Sequence, residues 1–217
     1  MPKTLAFLHT AESHVAAFDL LVAAAGAPVA VRHVVRETLL HEARAEGITP
    51  QLERRVGEIL LGMFDDGADL VVCTCSTIGG CAERVGRQHG RSVVRVDRAM
   101  AERAVELGSR ILIAATLGNT LSPTRELLHE IAAAAGKAIE IHELLCDSAW
   151  PKFEAGDHAG YEQEIADRLT AAADDVDMIV LAQASMASAA ERCPDVRTPI
   201  LSSPRLAVGA ALASLSA

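Results

Sequence analysis

Residues 70–80 have the sequence LVVCTCSTIGG, a short apolar run followed by thiol, hydroxyl and glycine residues. A run of this kind, bounded by turn residues, is typical of a strand buried in a parallel sheet. Residues 178–186, with the sequence MIVLAQASM, show the same order of apolar run and small polar loop. The two segments predict a pair of central strands, each leading into a polar loop and then a helix.

The rest of the chain alternates between short apolar runs and longer segments of helical periodicity. This rhythm predicts βαβ units and an α/β fold with parallel sheets. We predict strands at residues 4–8, 30–35, 70–74, 92–96, 110–114, 138–142, 178–181 and 199–202. We predict helices at residues 13–25, 50–66, 80–89, 98–107, 122–135, 160–174 and 186–192, the fifth starting at Ser122-Pro123.

The two halves of the chain resemble each other after a shift of about 107 positions. Segment 67–72, GADLVV, matches segment 175–180, DVDMIV, and in this register Cys75 falls opposite Gln183. The pattern predicts two pseudo-symmetric Rossmann-like halves with an active site in the cleft between them. We place the halves at residues 1–97 and 98–204, with a final helix at about 205–217 packing back on the first half.

Composition excludes several classes of protein. The 217 residues carry a net charge of −9 and only 3% aromatic residues, which disfavours a nucleic-acid surface. No apolar run is long enough for a membrane helix, and the start of the chain is better interpreted as a strand than as a signal peptide. The five cysteines then indicate reduced thiols, and we expect a cytoplasmic protein.

Cys75 is the strongest candidate for a reactive side chain. It lies between a predicted strand and a predicted helix, where free N–H groups and the helix dipole favour a thiolate. The alternative is an inert buried cysteine, which is our interpretation of Cys73, two residues earlier on the same side of the strand. A metal site formed with Cys81 has the wrong spacing for a closed zinc site.

The remaining candidates lie where loops should follow the carboxyl ends of strands, the usual ligand position in parallel sheets. Hydroxyl and amide groups predominate there and suit a carboxylate or a developing oxyanion. Gln183 is either a ligand contact or a polar cap of its strand. The second acid or base would be His9 or Glu12, with His14 also near. The predicted substrate-binding residues are Thr10, Ser76, Thr77, Thr116, Asn119, Thr120, Gln183 and Ser185.

With its two halves and its Cys75-Ser76-Thr77 loop, the chain resembles the aspartate/glutamate racemase superfamily. That superfamily also includes hydantoin racemase, maleate isomerase and arylmalonate decarboxylase. The segment 115–120, ATLGNT, resembles the loop that helps bind the substrate carboxylate in that superfamily. The resemblance covers nearly the whole chain and implies an enzyme that uses neither pyridoxal phosphate nor a metal. Two-base members place a second cysteine where this chain has Gln183, which cannot exchange a proton near neutral pH.

The sequence therefore supports a cofactor-independent, racemase- or isomerase-like enzyme acting next to a carboxylate, with Cys75 as acid, base or nucleophile. A single-cysteine decarboxylase and a maleate-type isomerase stay open as alternatives. So does a non-catalytic protein that binds small carboxylates. No dinucleotide or Walker phosphate motif is present, which disfavours nicotinamide cofactors and ATP. We expect a small carboxylate as partner, no nucleic acid and no membrane, with a homodimer as the candidate assembly.

Overall fold

The computed structural model describes residues 2–216 and divides them into two compact units. One unit contains the residues up to Val96 together with those from Pro204 onward, and the other is Asp97–Ser203. Within residues 2–216, each unit contains one four-stranded parallel sheet flanked by helices, as the sequence pattern predicted. The position of the active site in a cleft between the two halves stays a prediction.

The first unit contains the sheet order β2-β1-β3-β4. Its strands are β1 (Thr4–His9), β2 (Ala30–Val35), β3 (Leu70–Cys73) and β4 (Val93–Arg95). Its helices are α1 (His14–Ala25), α2 (Glu37–Glu46), α3 (Pro50–Asp65), α4 (Ser76–Gln88) and the final α9 (Ser203–Ser216, largely in this unit). The sequence pattern did not predict α2.

The second unit has the equivalent sheet order β6-β5-β7-β8. Its strands are β5 (Arg110–Ala115), β6 (Glu140–Leu145), β7 (Met178–Leu181) and β8 (Ile200–Ser202). Its helices are α5 (Arg98–Leu107), α6 (Gly118–Ala134), α7 (Trp150–Glu154) and α8 (His158–Ala172), with 3-10 turns at Asp147–Ala149 and Ala184–Arg192. No helix within residues 2–216 is both long and apolar enough to cross a membrane.

The strands alternate their side chains between two apolar cores, one on each face of the first sheet. Leu5, Phe7, Leu70 and Val72 pack with residues of α1 and α9, and Ala207–Leu212 contribute to this core from α9. Residues 6, 8, 71 and 73 face the opposite core, which is built with α2, α3 and α4. This alternation puts Cys73 and Cys75 in the second core, away from the α1 face.

Two aspartates fix the amino ends of the sheets in the same way. Asp69 precedes β3 and accepts a hydrogen bond from the backbone N–H of Thr4 at 2.7 Å. Asp177 precedes β7 and accepts from the backbone N–H groups of Ser109 and Arg110 at 3.0 and 2.9 Å. These bonds hold the pKa of both carboxyl groups below the usual range. Because the two residues were paired in the sequence register, the duplication extends to their contacts.

Candidate active site

The first loop of interest follows β3 and differs from the prediction in one respect. Helix α4 begins at Ser76, four residues before the predicted start at Gly80. Cys75 therefore becomes the N-cap residue, in an extended conformation with φ −109° and ψ 111°. The first backbone N–H groups of a helix lack partners inside the helix, and the N–H of Thr77, in the first turn of α4, lies close to Cys75 in the chain.

All five cysteines are free and buried, but their surroundings differ. Burial raises the pKa of the Cys81 and Cys146 thiols to about 11 in each case. Burial also raises the pKa of Cys193. Cys75 differs from these three in being the N-cap residue of a helix. No group of His, Cys, Asp and Glu within residues 2–216 is arranged to hold a metal ion, Cys73, Cys75 and Cys81 included.

We expect iodoacetamide to modify Cys75 before the other cysteines at neutral pH. A thiol with a pKa near 11 has only about one thiolate in ten thousand near pH 7, so Cys81 and Cys146 should react slowly. A time course of alkylation followed by peptide mass spectrometry measures the order, and protein unfolded in denaturant is the control in which all sites react alike. Equal rates at Cys75 and Cys146 would contradict this prediction.

Arg95 lies across the first turns of α4. This buried residue ends β4, its backbone N–H donates to Glu83 Oε1 at 3.1 Å, and its Nη2 donates to the Ser76 carbonyl at 3.4 Å. A Cβ atom built on Gly79 would lie 2.8 Å from Arg95 Cβ, whereas one on Gly80 would lie 3.4 Å from the mobile Nη1 end. The missing side chain of Gly79 is therefore what allows Arg95 to approach the helix.

Substitution of these two adjacent glycines by alanine should destabilise the fold to different extents. Gly79→Ala forces the backbones of α4 and β4 apart, so we expect the free energy of unfolding to fall by about 1–3 kcal/mol. Gly80→Ala displaces only the end of a flexible side chain and improves helix propensity, so we expect a change within about 1 kcal/mol. Urea unfolding followed by circular dichroism measures both, and an equal loss in the two variants would refute the packing role of Gly79.

The second loop of interest follows β5 and also begins its helix early. Helix α6 starts at Gly118, not at Ser122, so Pro123 lies inside the helix and the predicted proline start is wrong. Asn119 and Thr120 therefore belong to the first turn of a helix. The backbone N–H of Thr120 bonds to the Leu117 carbonyl at 3.0 Å. The side-chain Nδ2 of Asn119 is buried without a hydrogen-bond partner within residues 2–216.

Gln183 occupies the same place in the second half that Cys75 occupies in the first. It lies two residues after β7 and is the N-cap of the 3-10 helix Ala184–Arg192. Its Oε1 accepts hydrogen bonds from the Thr116 N–H at 2.6 Å, the Thr116 hydroxyl at 3.0 Å and the Leu117 N–H at 3.1 Å. The amide oxygen thus ties the end of β7 to the end of β5.

Tyr161 joins this network and was missed by the sequence analysis. It lies on α8, is buried, and shares a hydrogen bond of 2.9 Å with the Ser185 hydroxyl, while Thr116 also bonds to its phenol. Burial raises the pKa of its hydroxyl. The signal in the sequence is slight, since it consists of one tyrosine in an ordinary amphipathic helix. Thr116, Gln183 and Ser185, predicted separately, are brought together around it.

The candidate residues at and after the end of β1 differ in their burial and in their hydrogen-bond partners. His9 is fully buried and its ring nitrogens contact Thr74 Oγ1 and His33 Nδ1, each at 2.8 Å. Thr10 is buried beside it in the chain, and Glu12 is exposed to solvent. Both ring nitrogens of His14 are buried without a partner within residues 2–216. Because its two nitrogens are occupied, His9 can reach a ligand only through Thr74.

Comparison with solved structures shows a shared fold across the chain. The architecture is that of the two-domain Asp/Glu racemase fold. Aspartate racemase from Picrophilus torridus matches with a TM-score of 0.72 at 13% identity, covering 99% of this chain and 94% of the other. Allantoin racemase from Klebsiella pneumoniae matches at 0.63 and 20% identity, covering 99% and 88%. Arylmalonate decarboxylase matches at 0.58 and 14% identity, covering 98% and 92%.

Comparison of the sequence itself finds no relative. No protein-family model matches it, and no characterised protein matches it significantly. At identities of 13–20%, these structures of racemases and a decarboxylase show what fold the chain has.

Proposed function

We propose that the chain is a cofactor-independent, racemase- or isomerase-like enzyme of the Asp/Glu racemase superfamily, acting next to the carboxylate of a small amino acid or carboxylic acid. The observation that carries the proposal is the position of Cys75. It is the N-cap of α4 at the carboxyl end of a central strand, in a fold shared with racemases that act on small carbon acids.

Cys75 would act as base and acid at carbon. Its thiolate removes the proton from the carbon next to the carboxylate, forming S–H, and the electrons of the broken C–H bond pass into an enolate. Positioned N–H and hydroxyl donors stabilise the charge that develops on oxygen. In the first half, Ser76 and Thr77 supply such donors at the N-terminus of α4.

The second half offers donors suited to a carboxylate. Gly118 and Asn119 begin α6, and the orphaned Nδ2 of Asn119 is a buried donor that a ligand oxygen would satisfy. A buried polar group without a partner costs free energy, so a site that leaves one open is suited to a bound acceptor. Thr116 and Thr120 contribute hydroxyl groups to the same loop, and we propose this loop as the carboxylate-binding part of the second half.

Gln183 stands where two-base members of the superfamily have their second cysteine. An amide cannot deliver a proton near neutral pH, and the Gln183 oxygen already accepts three hydrogen bonds. Proton exchange at carbon should therefore exceed inversion. Protonation after loss of CO2, or addition of Cys75 to an unsaturated diacid, would need only one thiol. Gln183 in place of a thiol also favours the second candidate function, a binding protein for small carboxylates.

The experiment that tests the proposal is proton NMR in D2O with the wild-type protein and Cys75→Ala. The compounds are aspartate, glutamate, hydantoins, maleate and aryl-substituted malonates. Deuterium incorporation at carbon, isomerisation or CO2 loss that depends on Cys75 would support the enzyme and define its substrate class. Binding of one compound without turnover, unchanged in Cys75→Ala, would support the binding protein instead.

A further inference from the structure

A continuous chain of hydrogen bonds crosses the α1 face of the first sheet. It starts at Thr74, directly after β3, whose Oγ1 lies 2.8 Å from His9 Nδ1 at the end of β1. His9 Nε2 lies 2.8 Å from His33 Nδ1 on β2, and His33 Nε2 lies 3.0 Å from Asp19 Oδ1 on α1. Thr74 and His9 are buried, whereas the Asp19 side chain is 55% exposed. The chain therefore joins the buried carboxyl edge of the sheet to solvent.

Aromatic rings line this chain. His9 and His33 stack with their ring centroids 5.1 Å apart, and Phe7 stacks on His33 at 5.3 Å. Phe18 closes the other side, 5.5 Å from His9. Burial, followed by the nearby His14 and His33, lowers the pKa of His9 to about 3. His9 therefore stays neutral at physiological pH, and any proton it receives on one nitrogen must leave from the other.

Two arrangements of protons satisfy all of these contacts. In the first, the Thr74 hydroxyl donates to His9 Nδ1, His9 Nε2–H donates to His33 Nδ1, and His33 Nε2–H donates to Asp19. In the second, the Thr74 hydroxyl turns to the Leu8 carbonyl at 3.2 Å, His9 donates from Nδ1, and His33 donates from both nitrogens. The second arrangement holds one more proton, carried by an imidazolium of His33 beside the Asp19 carboxylate.

We propose that Thr74, His9, His33 and Asp19 form a proton relay between the carboxyl edge of the first sheet and solvent. A proton that arrives at the Thr74 oxygen displaces the hydroxyl proton to His9 Nδ1, and His9 passes its Nε2 proton to His33 Nδ1. The proton gained is held as the His33–Asp19 ion pair until water removes it from Nε2. The reverse sequence returns a proton to Thr74, and no other group changes its proton count.

The second hydrogen-bond acceptor of Thr74 allows its hydroxyl to change the direction in which it donates, which a proton relay requires. A hydroxyl with a single partner would fix one direction of donation, whereas Thr74 has both His9 and the Leu8 carbonyl within reach. The titratable groups facing His9 are His14 and Asp19 from α1 and His33 from β2. The inference goes beyond the proposed function, because the relay operates whichever substrate the protein takes.

The test is NMR of ring nitrogens and ring protons in 15N-labelled protein without substrate. In the wild type, we expect the His9 proton to move from Nε2 to Nδ1 as the pH is lowered, with no double protonation of His9. In Asp19→Asn, the imidazolium loses its counter-ion, and we expect this switch to move down by about half a pH unit because Asp19 is largely exposed.

The matched variant is His33→Gln, because an amide can accept from His9 and donate to Asp19 but cannot pass a proton on. We expect His9 to keep its proton on Nε2 at every pH. Exchange of that proton with water should slow by about tenfold or more, because it then needs local opening of the fold. Unchanged exchange in His33→Gln, or a His9 proton fixed on one nitrogen in the wild type, would overturn the relay. Matching thermal unfolding curves control for the fold, and no result here depends on turnover.

Discussion

Replacement of Cys75 by alanine is expected to lower the rate of proton exchange at the substrate carbon by about a thousandfold or more, the range removed with a general acid–base group. The thiol at the N-cap of α4 is the atom we propose to carry the proton, and alanine leaves nothing there that can ionise. Cys75→Ser should fail almost as badly, since a hydroxyl is far less acidic than a thiol. Deuterium incorporation followed by NMR measures the rate.

The control is Cys73→Ala, which removes a buried thiol two residues earlier, at the end of β3. It should keep the rate within about threefold, because Cys73 belongs to the apolar core and any loss arises through packing. Ligand affinity should change little in Cys75→Ala if the donors on α6 hold the carboxylate. A Cys75→Ala protein that exchanges as fast as the wild type would eliminate the thiol mechanism.

Replacement of Gln183 by leucine is expected to lower the free energy of unfolding by about 2–4 kcal/mol, because several donors lose their acceptor at once. Leucine has nearly the same size but no oxygen, so the Thr116 N–H, the Thr116 hydroxyl and the Leu117 N–H all lose their acceptor. The connection between the ends of β5 and β7 is lost with them. Urea unfolding followed by circular dichroism gives the change.

Gln183→Glu is the matched control, since it keeps an acceptor oxygen at the same distance along the side chain. We expect it to retain stability within about 1 kcal/mol of the wild type, because the two N–H groups and the hydroxyl can all donate to a carboxylate. Equal destabilisation by Leu and Glu would mean that the amide N–H2 group, and not the oxygen, is what the fold requires.

The sheets were predictable because burial on both faces leaves a continuous apolar run. Met178–Leu181, buried at every position, lies where the sequence placed it. The partly exposed edge strand Ala30–Val35 and the helix Arg98–Leu107 also have their predicted bounds, although neither is a continuous buried run. The duplication was visible for the same reason, since both halves repeat the run and the aspartate before it. Strand β6 was placed two to three residues too early, because its exposed polar residues weaken the apolar signal.

The starts of the two helices at the site could not be predicted from local preference. Serine, threonine and glycine after Cys75 indicate a turn, yet the helix continues through them because Arg95 packs against Gly79. Ser122-Pro123 indicates a helix start, yet α6 tolerates Pro123 at the cost of one backbone bond. In both places tertiary packing outweighs the intrinsic preference of the residues.

The contacts of His33, Asp19 and Tyr161 could not be predicted from the sequence either. The contact between His33 and His9 depends on the register of β1 and β2, which pairs His33 with Phe7, two residues before His9. Asp19 has no distinguishing neighbours in the sequence, and it contributes through the packing of α1 on that strand pair. Such contacts depend on register and helix placement, which sequence periodicity does not specify to one residue.

In each sheet, the aspartate before the central strand lies at the opposite edge from the loop that follows that strand. Asp69 and Asp177 fasten strand alignment at one edge, while the residues that differ between the halves, Cys75 and Gln183, lie at the opposite edge. Mutations that alter reactivity therefore leave the alignment device untouched. Libraries that randomise only the carboxyl-edge loops should consequently retain a high fraction of folded members.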